Sequence, residues 1–279
     1  MPYSAEISRT NPACILILID QSKSMDEPFA GQPDKLKSEG VADAVNRLIQ
    51  NMVLKCAKID GVRDYFHVGI IGYGGKLTTG LGGKLPDEVL VPISKLADKP
   101  LRVENRSRLV EDGTGGTIEQ TIKFPVWYDP VATGRTLMHA AFEAAELIVS
   151  SFILSYPESY PPIILNITDG KPSDANPLPV ATRLKQLASA DGPVMIFNLL
   201  LSAEPKPPIY FIDDESLLLD TYSKLLFRMS TALPPKLLEA ARADGFVVNP
   251  GARGVVFNAD LVAVVRFLDI GTRVTTKMR

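Results

Sequence analysis

Asp20, Ser22 and Ser24 carry oxygen-bearing side chains at alternate positions of one short stretch, Asp-Gln-Ser-Lys-Ser. They follow directly on the five apolar residues 15–19. An apolar run of this length is typical of a strand that is buried on both faces of a parallel sheet. Because ligands bind beyond the carboxyl ends of such strands, the three side chains are expected to face one binding crevice. Ligands that offer only oxygen favour a hard cation such as Mg²⁺.

Two more oxygen side chains occur where the chain is expected to reach the same edge. Thr136 lies between a Thr-Gly turn and a strongly helical stretch, and Asp169 lies between the apolar residues 163–167 and Gly170. With the first three residues they supply three hydroxyls and two carboxylates. Since Mg²⁺ takes about six oxygens and usually keeps several waters, this set would leave a position open to a carboxylate from another molecule.

An alternation of strand-like and helix-like segments surrounds these residues. It predicts an α/β fold with a doubly wound, Rossmann-like, mostly parallel sheet and helices on both faces. Strands are predicted at 15–20, 66–73, 163–167 and 193–201, and short strands or extended loops at 245–248 and 254–257. Helices are predicted from Lys35, from Thr136, at 179–188, 217–229 and 237–243, and after Asn258, which is expected to cap the last one. The helix from Lys35 should bury Val41, Val45, Leu48, Met52 and Cys56, and the helix from Thr136 should bury Leu137, Ala141, Ala144, Ile148 and Phe152.

We expect a single domain over residues 1–279. Residues 74–125 are rich in glycine and form a predicted insertion, and residues 203–279 form a helical and extended C-terminal extension. A long loop without secondary structure is uncommon inside a compact domain. The insertion is therefore expected to hold short antiparallel strands that project from the sheet edge, and it shows no helical stripe.

The composition excludes several classes of function. The formal net charge of −2 offers no overall field for nucleic acid or for an anionic membrane. No apolar run approaches the ~18 residues of a membrane helix, and the N-terminus lacks the pattern of a signal peptide. Cys14 and Cys56 lie at apolar positions of a strand and a helix, as buried thiols do, and no Cys/His cluster suggests zinc. Free thiols favour a cytoplasmic location.

The five oxygen side chains, in this order, resemble the metal-ion-dependent adhesion site (MIDAS) of von Willebrand factor A (vWA) domains. That family's pattern is Asp-x-Ser-x-Ser, a later Thr, and a later Asp followed by Gly. The chain matches every member, and the resemblance covers residues 13–202 apart from the insertion. It implies a bound Mg²⁺, with Mn²⁺ or Ca²⁺ possible, held at the residues Asp20, Ser22, Ser24, Thr136 and Asp169.

The resemblance also implies a function. In such domains the hydroxyls bind the ion directly or through water, the aspartates commonly act through water, and an Asp or Glu of a partner protein completes the coordination. The chain looks most like stand-alone bacterial TerY-like vWA proteins, which are associated with kinases, phosphatases and AAA+ ATPases in stress or phosphorylation-linked signalling. It is thus expected to be a non-enzymatic protein-binding module without nucleic-acid or membrane partners.

Plainer interpretations stay open for each residue. Ser22, Ser24 and Thr136 could cap helices, and Asp169 could belong to a turn. His139, one helical turn beyond Thr136, is taken as a surface or packing residue. In the loop after Ser24, Asp26 and Glu27 could approach the ion or be solvated, and Met25, Pro28 and Phe29 could pack inward or form an apolar rim.

Two other functions compete with metal-dependent docking. A Mg²⁺-dependent phosphohydrolase could use Asp20 near Asp169, but the second acid that a haloacid-dehalogenase-type enzyme needs two residues on is Ser22 here. Serine hydrolase, Walker A and dinucleotide-binding motifs do not occur. Alternatively, the insertion is the interaction surface and the ion is structural.

Overall fold

The computed structural model describes residues 2–29, 32–81, 89–111, 116–202 and 206–271. Most of the long strands belong to one central sheet, and short pairs decorate the loops. In chain order the strands are β1 Ala13–Asp20, β2 Pro28–Phe29, β3 Gln32–Leu36, β4 Ala57–Lys58, β5 Gly61–Val62, β6 Phe66–Tyr73, β7 Leu77–Thr78, β8 Leu90–Pro92, β9 Arg102–Glu111, β10 Thr117–Val126, β11 Ile163–Thr168, β12 Ala188–Ser189, β13 Gly192–Pro193, β14 Met195–Leu201, β15 Ile209–Tyr210 and β16 Val255–Ala259.

Helices connect the long strands. They are α1 Lys37–Cys56, α2 Ile93–Asp98, α3 Met138–Ser155, α4 Leu178–Leu184, α5 Thr221–Met229, α6 Pro235–Ala243 and α7 Leu261–Gly271, and 3₁₀ turns form at Lys23–Asp26 and Glu215–Leu217. Strands and helices alternate along most of the chain, so the connections between parallel neighbours are crossovers.

The central sheet has the strand order β15-β16-β14-β11-β1-β6-β7, with β8 also paired to β6. The five strands from β16 to β6 are parallel, whereas β7, β8 and β15 pair antiparallel at the margins. β1 lies between two parallel neighbours and all eight of its residues are buried. Its apolar run is thus explained by burial on both faces.

Helices cover both faces of this sheet. Ile15, Ile17 and Ile19 of β1 belong to a core that α1 and α7 complete, whereas Leu16 and Leu18 belong to a second core with α3, α4 and α5. Alternate residues of one strand point to opposite faces, so β1 contributes to both cores. The predicted fold class, a mostly parallel doubly wound sheet with helices on both faces, is confirmed.

The insertion contains antiparallel strands, as predicted, but its main pair is long and forms a sheet of its own rather than short strands at the edge of the central sheet. β9 and β10 form a ten-residue ladder from the pair Arg102 and Val126 to the pair Glu111 and Thr117. The insertion also contains helix α2, which the sequence analysis did not predict; its six residues are too few to show a helical stripe, although Ile93 and Leu96 are buried. The remaining part of the insertion, 82–88 and 112–115, lies outside the described residues.

Several predicted boundaries were wrong by a few residues. α1 and α3 begin two residues later than predicted, and α4 ends at Leu184 because the chain then forms the short β12–β13 pair. Of the two segments predicted as short strands or extended loops, 245–248 forms no strand, whereas residues 255–257 belong to β16. Asn258 does not cap α7: it lies in β16 at a φ of 54°, and the carboxylate of Asp260 accepts the hydrogen bond of the Ala263 N–H.

Helix α3 differs from prediction in the face that it buries. Ala141 and Phe152 are buried as expected, but Ala144 and Ile148 are only half-buried. The buried set is Met138, Ala141, Phe142, Ala145, Val149 and Phe152. The reason is that α3 is apolar almost all round; over its 18 residues the mean hydropathy is 1.3, so it is long and apolar enough to cross a membrane by length and composition. The expectation that no apolar segment approaches the length of a membrane helix was therefore wrong. In this structure α3 packs against β1 and β6.

Candidate metal centre

Asp20 ends β1 and is fully buried. Its Oδ1 accepts a hydrogen bond from the Ser22 N–H at 2.9 Å, and its Oδ2 accepts one from the Thr168 hydroxyl at 2.7 Å. Burial raises the pKa of Asp20 to about 6, and the hydrogen bonds from Ser22 and Thr168 oppose this shift. The carboxylate is therefore fixed in one orientation by the ends of two neighbouring strands.

Ser22, Ser24 and Asp169 form a continuous chain of contacts beside Asp20. The Ser22 Oγ and the Ser24 Oγ are 3.1 Å apart, and the Ser24 hydroxyl donates to Asp169 Oδ1 at 2.7 Å. β1 and β11 are adjacent and parallel, so their carboxyl ends meet at the same edge of the sheet. The structure thus brings four of the five predicted side chains together.

Thr136 reaches the same place from the loop that precedes α3. It is 6% exposed, and its carbonyl accepts hydrogen bonds from the N–H and the hydroxyl of Ser173. A Cβ atom placed on Gly170 would lie 3.9 Å from the Thr136 Oγ1 and 4.0 Å from the Ser24 Oγ. Both hydroxyls therefore lie beside Gly170, which places Thr136 next to the other predicted side chains.

Thr136 does not serve as a helix cap, which was its plainer interpretation. The helix N-cap is Leu137, and the N–H groups of the second and third residues of α3, His139 and Ala140, donate to the carboxylate of Asp174 at 3.3 and 3.0 Å. The side chain of Ser22 likewise makes no capping bond to the 3₁₀ turn that follows it. The hydroxyls of both residues are thus left to the site.

Lys37 is the site residue that the sequence analysis missed. Its side chain is only 4% exposed, and its Nζ donates to Asp169 Oδ2 at 2.9 Å and to Glu27 Oε2 at 2.8 Å. Burial alone would lower the pKa of Lys37, but the hydrogen bonds to Glu27 and Asp169 outweigh it and raise the pKa. A signal was present in the sequence: Lys37 stands four residues before Val41 and so continues the buried stripe of α1.

The donor set fits a small divalent cation. Ligands at right angles around Mg²⁺, each at ~2.1 Å, are about 3.0 Å apart, which agrees with the 3.1 Å between the Ser22 Oγ and the Ser24 Oγ. The Ser24 hydroxyl donates its proton to Asp169, so its oxygen stays an acceptor with a lone pair for an ion. Ser22, Ser24 and Thr136 would hold the ion directly, whereas Asp20 and Asp169 would act through water because protein donors already occupy their oxygens. Among the described residues, no group of three or more His, Cys, Asp or Glu side chains is placed to hold a metal. The candidate centre has two carboxylates, Asp20 and Asp169, and its other donors are hydroxyl groups.

Two of the three apolar residues in the neighbouring loop pack inward. Met25 and Phe29 are buried, so they form no apolar rim, whereas Pro28 is exposed. Glu27 has a half-exposed carboxylate that pairs with Lys37. His139 lies outside the centre, with its Nδ1 at 3.0 Å from the carbonyl oxygen of Asn176.

Comparisons with known proteins give similarity in fold alone. No family model matches the chain, and no curated protein matches it. Three solved structures illustrate the likeness. Three N-terminal domains of the type V pili tip protein Mfa5 from Porphyromonas gingivalis match 58% of this chain and 20% of that chain at 13% identity and a TM-score of 0.34, and the vWF domain of the same protein matches 58% of this chain and 39% of that chain at 12% identity and a TM-score of 0.34. The ArnB paralog VWA2 from Sulfolobus acidocaldarius matches 68% of this chain and 34% of that chain at 13% identity and a TM-score of 0.33. The matches thus span 20–39% of those chains. At these TM-scores the likeness supports no conclusion about function.

Proposed function

We propose that this protein is a non-enzymatic binding module of the vWA type, with a MIDAS-like centre that holds Mg²⁺ and binds an acidic residue of a partner protein. One observation carries the proposal: three hydroxyls and two carboxylates from three separate segments converge at the carboxyl edge of two adjacent parallel strands. Neutral hydroxyl ligands leave most of the charge of a divalent ion uncompensated, so the ion attracts an external carboxylate. Mn²⁺ or Ca²⁺ could replace Mg²⁺.

The geometry favours docking over phosphoryl-group hydrolysis. A nucleophilic aspartate needs an oxygen that can reach its substrate. In this protein both oxygens of Asp20 accept hydrogen bonds from the chain, and the side chain is fully buried. Ser22 stands where a phosphatase of the haloacid-dehalogenase type would place its acid, so the group that such an enzyme needs for proton transfer is missing two residues after Asp20.

The surroundings of the centre suit a protein partner. The Tyr222 Oη of α5 lies 3.4 Å from the Thr168 Oγ1, so α5 contacts the end of β11 beside Asp20. Leu217 and Leu219, which precede α5 in the chain, are 66% and 98% exposed. Exposed apolar side chains in this part of the chain suit a protein interface, whereas the net charge of −2 gives no support for nucleic acid or membranes as partners.

The finer proposal concerns the cellular setting. Cys14 and Cys56 are free, buried thiols, which suits a reducing cytoplasm. By its resemblance to stand-alone TerY-like proteins, the module would serve bacterial stress or phosphorylation-linked signalling, with kinase, phosphatase or AAA+ ATPase components as partners. Co-purification of one such component through a Mg²⁺-dependent contact would test this setting.

A titration with Mn²⁺ tests the centre itself. We expect electron paramagnetic resonance to detect one bound Mn²⁺ in the wild-type protein and weaker binding in Ser22→Ala. Ser151→Ala, which removes an exposed hydroxyl from α3, is the matched control and should bind as the wild type does. Equal affinity of all three proteins, or no binding by the wild type, would overturn the proposed centre.

The open coordination position needs a second measurement. Bound Mn²⁺ speeds the relaxation of water protons through the waters in its coordination sphere. We expect this effect to fall when short peptides that contain Asp or Glu are added, and not when the same peptides carry Asn or Gln. A relaxation rate that ignores the acidic peptides would refute the carboxylate bridge even where Mn²⁺ binds.

The β9–β10 hairpin is the competing interaction surface. Its two strands pair with each other in a sheet of their own, and Val103 and Ile118 are about half exposed. If the ion were only structural, a partner would bind here. Replacing residues 103–125 by a short linker should leave a Mg²⁺-dependent partner bound, and loss of the partner from a folded variant would favour the hairpin instead.

A further inference from the structure

The ammonium group of Lys37 already acts as a cation inside the centre. Its hydrogen bonds run to Asp169 Oδ2 at 2.9 Å, to Glu27 Oε2 at 2.8 Å and, at 3.5 Å, to the carbonyl oxygen of Ser24. A lysine ammonium has three protons to donate, so each proton has an oxygen partner. The Asp169 and Lys37 side chains are 0% and 4% exposed, which makes this ion pair a buried one.

The fold holds this ammonium in place through its backbone. Lys37 is the first residue of α1, and its N–H donates to the Glu27 carbonyl at 2.9 Å. The β2–β3 hairpin brings the chain back to this point, and the Glu39 carboxylate accepts from the Leu36 N–H. The Lys37 side chain therefore starts from a fixed position directly beside Asp169.

The helix itself gives no reason for a lysine at this position. The N-terminus of a helix carries a partial positive charge, which disfavours a cation in the first turn. Lys37 is placed there nevertheless, and its side chain is withdrawn from water. The compensating interaction is with the buried carboxylate of Asp169, since Glu27 is half-exposed.

A charge count shows what Lys37 does to the centre. Asp20 and Asp169 would together carry two negative charges in a buried site, Glu27 adds a third at its half-exposed rim, and Lys37 cancels one of the three. Without an ion, the ammonium prevents the full repulsion and desolvation of two buried carboxylates. With an ion, the same ammonium repels it and leaves a larger part of its charge uncompensated.

We propose that Lys37 is a built-in counter-ion, which keeps the metal centre folded when no ion is bound and lowers the affinity of the centre for divalent cations. This inference rests on the proposed function for the identity of the ligand. Its consequence is positive coupling between the ion and the partner. The partner's carboxylate completes the coordination of a weakly bound ion, so each ligand increases the affinity of the protein for the other.

The variant Lys37→Met removes the charge and keeps the length of the side chain. Lys171→Met is the matched control, because Lys171 follows Gly170 at the edge of the centre but is exposed to water. Lys37→Arg retains the charge. We expect Lys37→Met to bind Mn²⁺ at least about 10-fold more tightly than the wild type, since a buried unit charge near a divalent ion interacts by more than the ~1.4 kcal/mol that this factor represents. Lys171→Met should change the affinity less than about 3-fold, because water screens its charge.

Thermal unfolding in EDTA gives a reading that needs no bound ion. In EDTA we expect Lys37→Met to have a lower Tm than both the wild type and Lys171→Met. Added Mn²⁺ should raise the Tm of Lys37→Met more than that of the other two proteins, since tighter binding stabilises the folded state more. Lys37→Arg should stay closer to the wild type in both measurements.

The outcomes separate this inference from the proposed function. If the wild type binds Mn²⁺ and Lys37→Met binds it no more tightly, the centre stands and the counter-ion role is overturned. If only Lys37→Met binds Mn²⁺, the counter-ion role stands and the native protein does not use an ion. If neither binds and Lys37→Met is as stable as the wild type in EDTA, both ideas fail.

Discussion

The side chain of Asn46 ties helix α1 to the segment that leads to Thr136. Its Oδ1 accepts from the N–H groups of Trp127 and Tyr128 at 2.8 and 3.0 Å, and its Nδ2 donates to the Tyr128 carbonyl at 2.8 Å. Asn46 is 2% exposed, and Trp127 and Tyr128 are 3% exposed. Three backbone groups in the core thus depend on one side chain.

We predict that Asn46→Ala lowers the free energy of unfolding by about 3 kcal/mol. Each of the three hydrogen bonds contributes ~1 kcal/mol net, and the loss is larger for every backbone group that water cannot reach after the substitution. The effect should extend to the candidate metal centre, because the segment from Tyr128 continues to Thr136 and the Gln21 Nε2 donates to the Tyr128 hydroxyl at 3.3 Å.

Urea unfolding of the wild type, Asn46→Ala and the control variant Asn51→Ala measures the loss in the free energy of unfolding. Asn51 lies on the same helix but is exposed, so its replacement should change stability by no more than about 0.5 kcal/mol. Equal m-values in the three proteins would show that the same surface is exposed on unfolding. A loss below about 1 kcal/mol for Asn46→Ala, similar to the control, would refute the view that this side chain holds the segment.

Three further predictions concern stability, pH and catalysis. Gly40→Ala should destabilise by about 1–3 kcal/mol, although alanine is the better helix former, because its Cβ would collide with the buried ring of Phe29; a stabilised variant in thermal unfolding would contradict this. Burial lowers the pKa of His67 below 6.5, so its neutral ring contributes stability that is complete above pH 6.5 and is lost as the pH falls through the folded-state pKa. The unfolding free energy of His67→Gln should therefore fall less between pH 7.5 and pH 5 than that of the wild type, and equal slopes would count against the assignment. Wild-type protein with Mg²⁺ should hydrolyse p-nitrophenyl phosphate no faster than Asp20→Asn; a clear excess would support a phosphohydrolase.

The sequence predicts the scaffold of the centre well where burial leaves a repeating pattern. The run before Asp20 is apolar at every position because β1 is covered on both faces, and the stripe of α1 from Val41 to Cys56 is buried as expected. The meeting of Ser24 with Asp169 follows from the rule that parallel neighbours end at one edge. Local pattern and general topology were sufficient for these features.

Periodicity does not determine a buried face when a helix is apolar all round. Helix α3 carries apolar residues on every side, among them Leu147 and Leu154, which are 74% and 84% exposed. Its orientation is decided by how well each side packs on β1 and β6, and this depends on tertiary contacts. The cap of α7 was misplaced for a similar reason: Asn258 and Asp260 are both suitable caps, and only the end of β16 decides between them.

The stripe of α1 could have indicated that Lys37 is buried, but its role beside Asp169 was hidden from sequence reasoning because its neighbours in space are distant in the chain. A lysine at the start of a helix is ordinarily taken as solvated, and only its partner Asp169, 132 residues away, explains its burial. The pairing arises because the β2–β3 hairpin brings α1 back to the end of β1. The residue that we expect to lower the affinity of the centre for an ion is therefore found from the three-dimensional structure, since it belongs to no sequence motif.

The centre remains available to a ligand because other residues perform the structural tasks around it. Asp174 caps α3, so the hydroxyl of Thr136 is not needed there. The Thr168 hydroxyl orients Asp20, and Lys37 balances Asp169. If the hydroxyls of Ser22 and Thr136 only stabilised the local structure, they would be expected to cap the helical turns that follow them. Ser22 makes no such bond, and Asp174 caps α3 in place of Thr136. This division of roles favours a ligand-binding edge over a set of strand ends that merely resembles one.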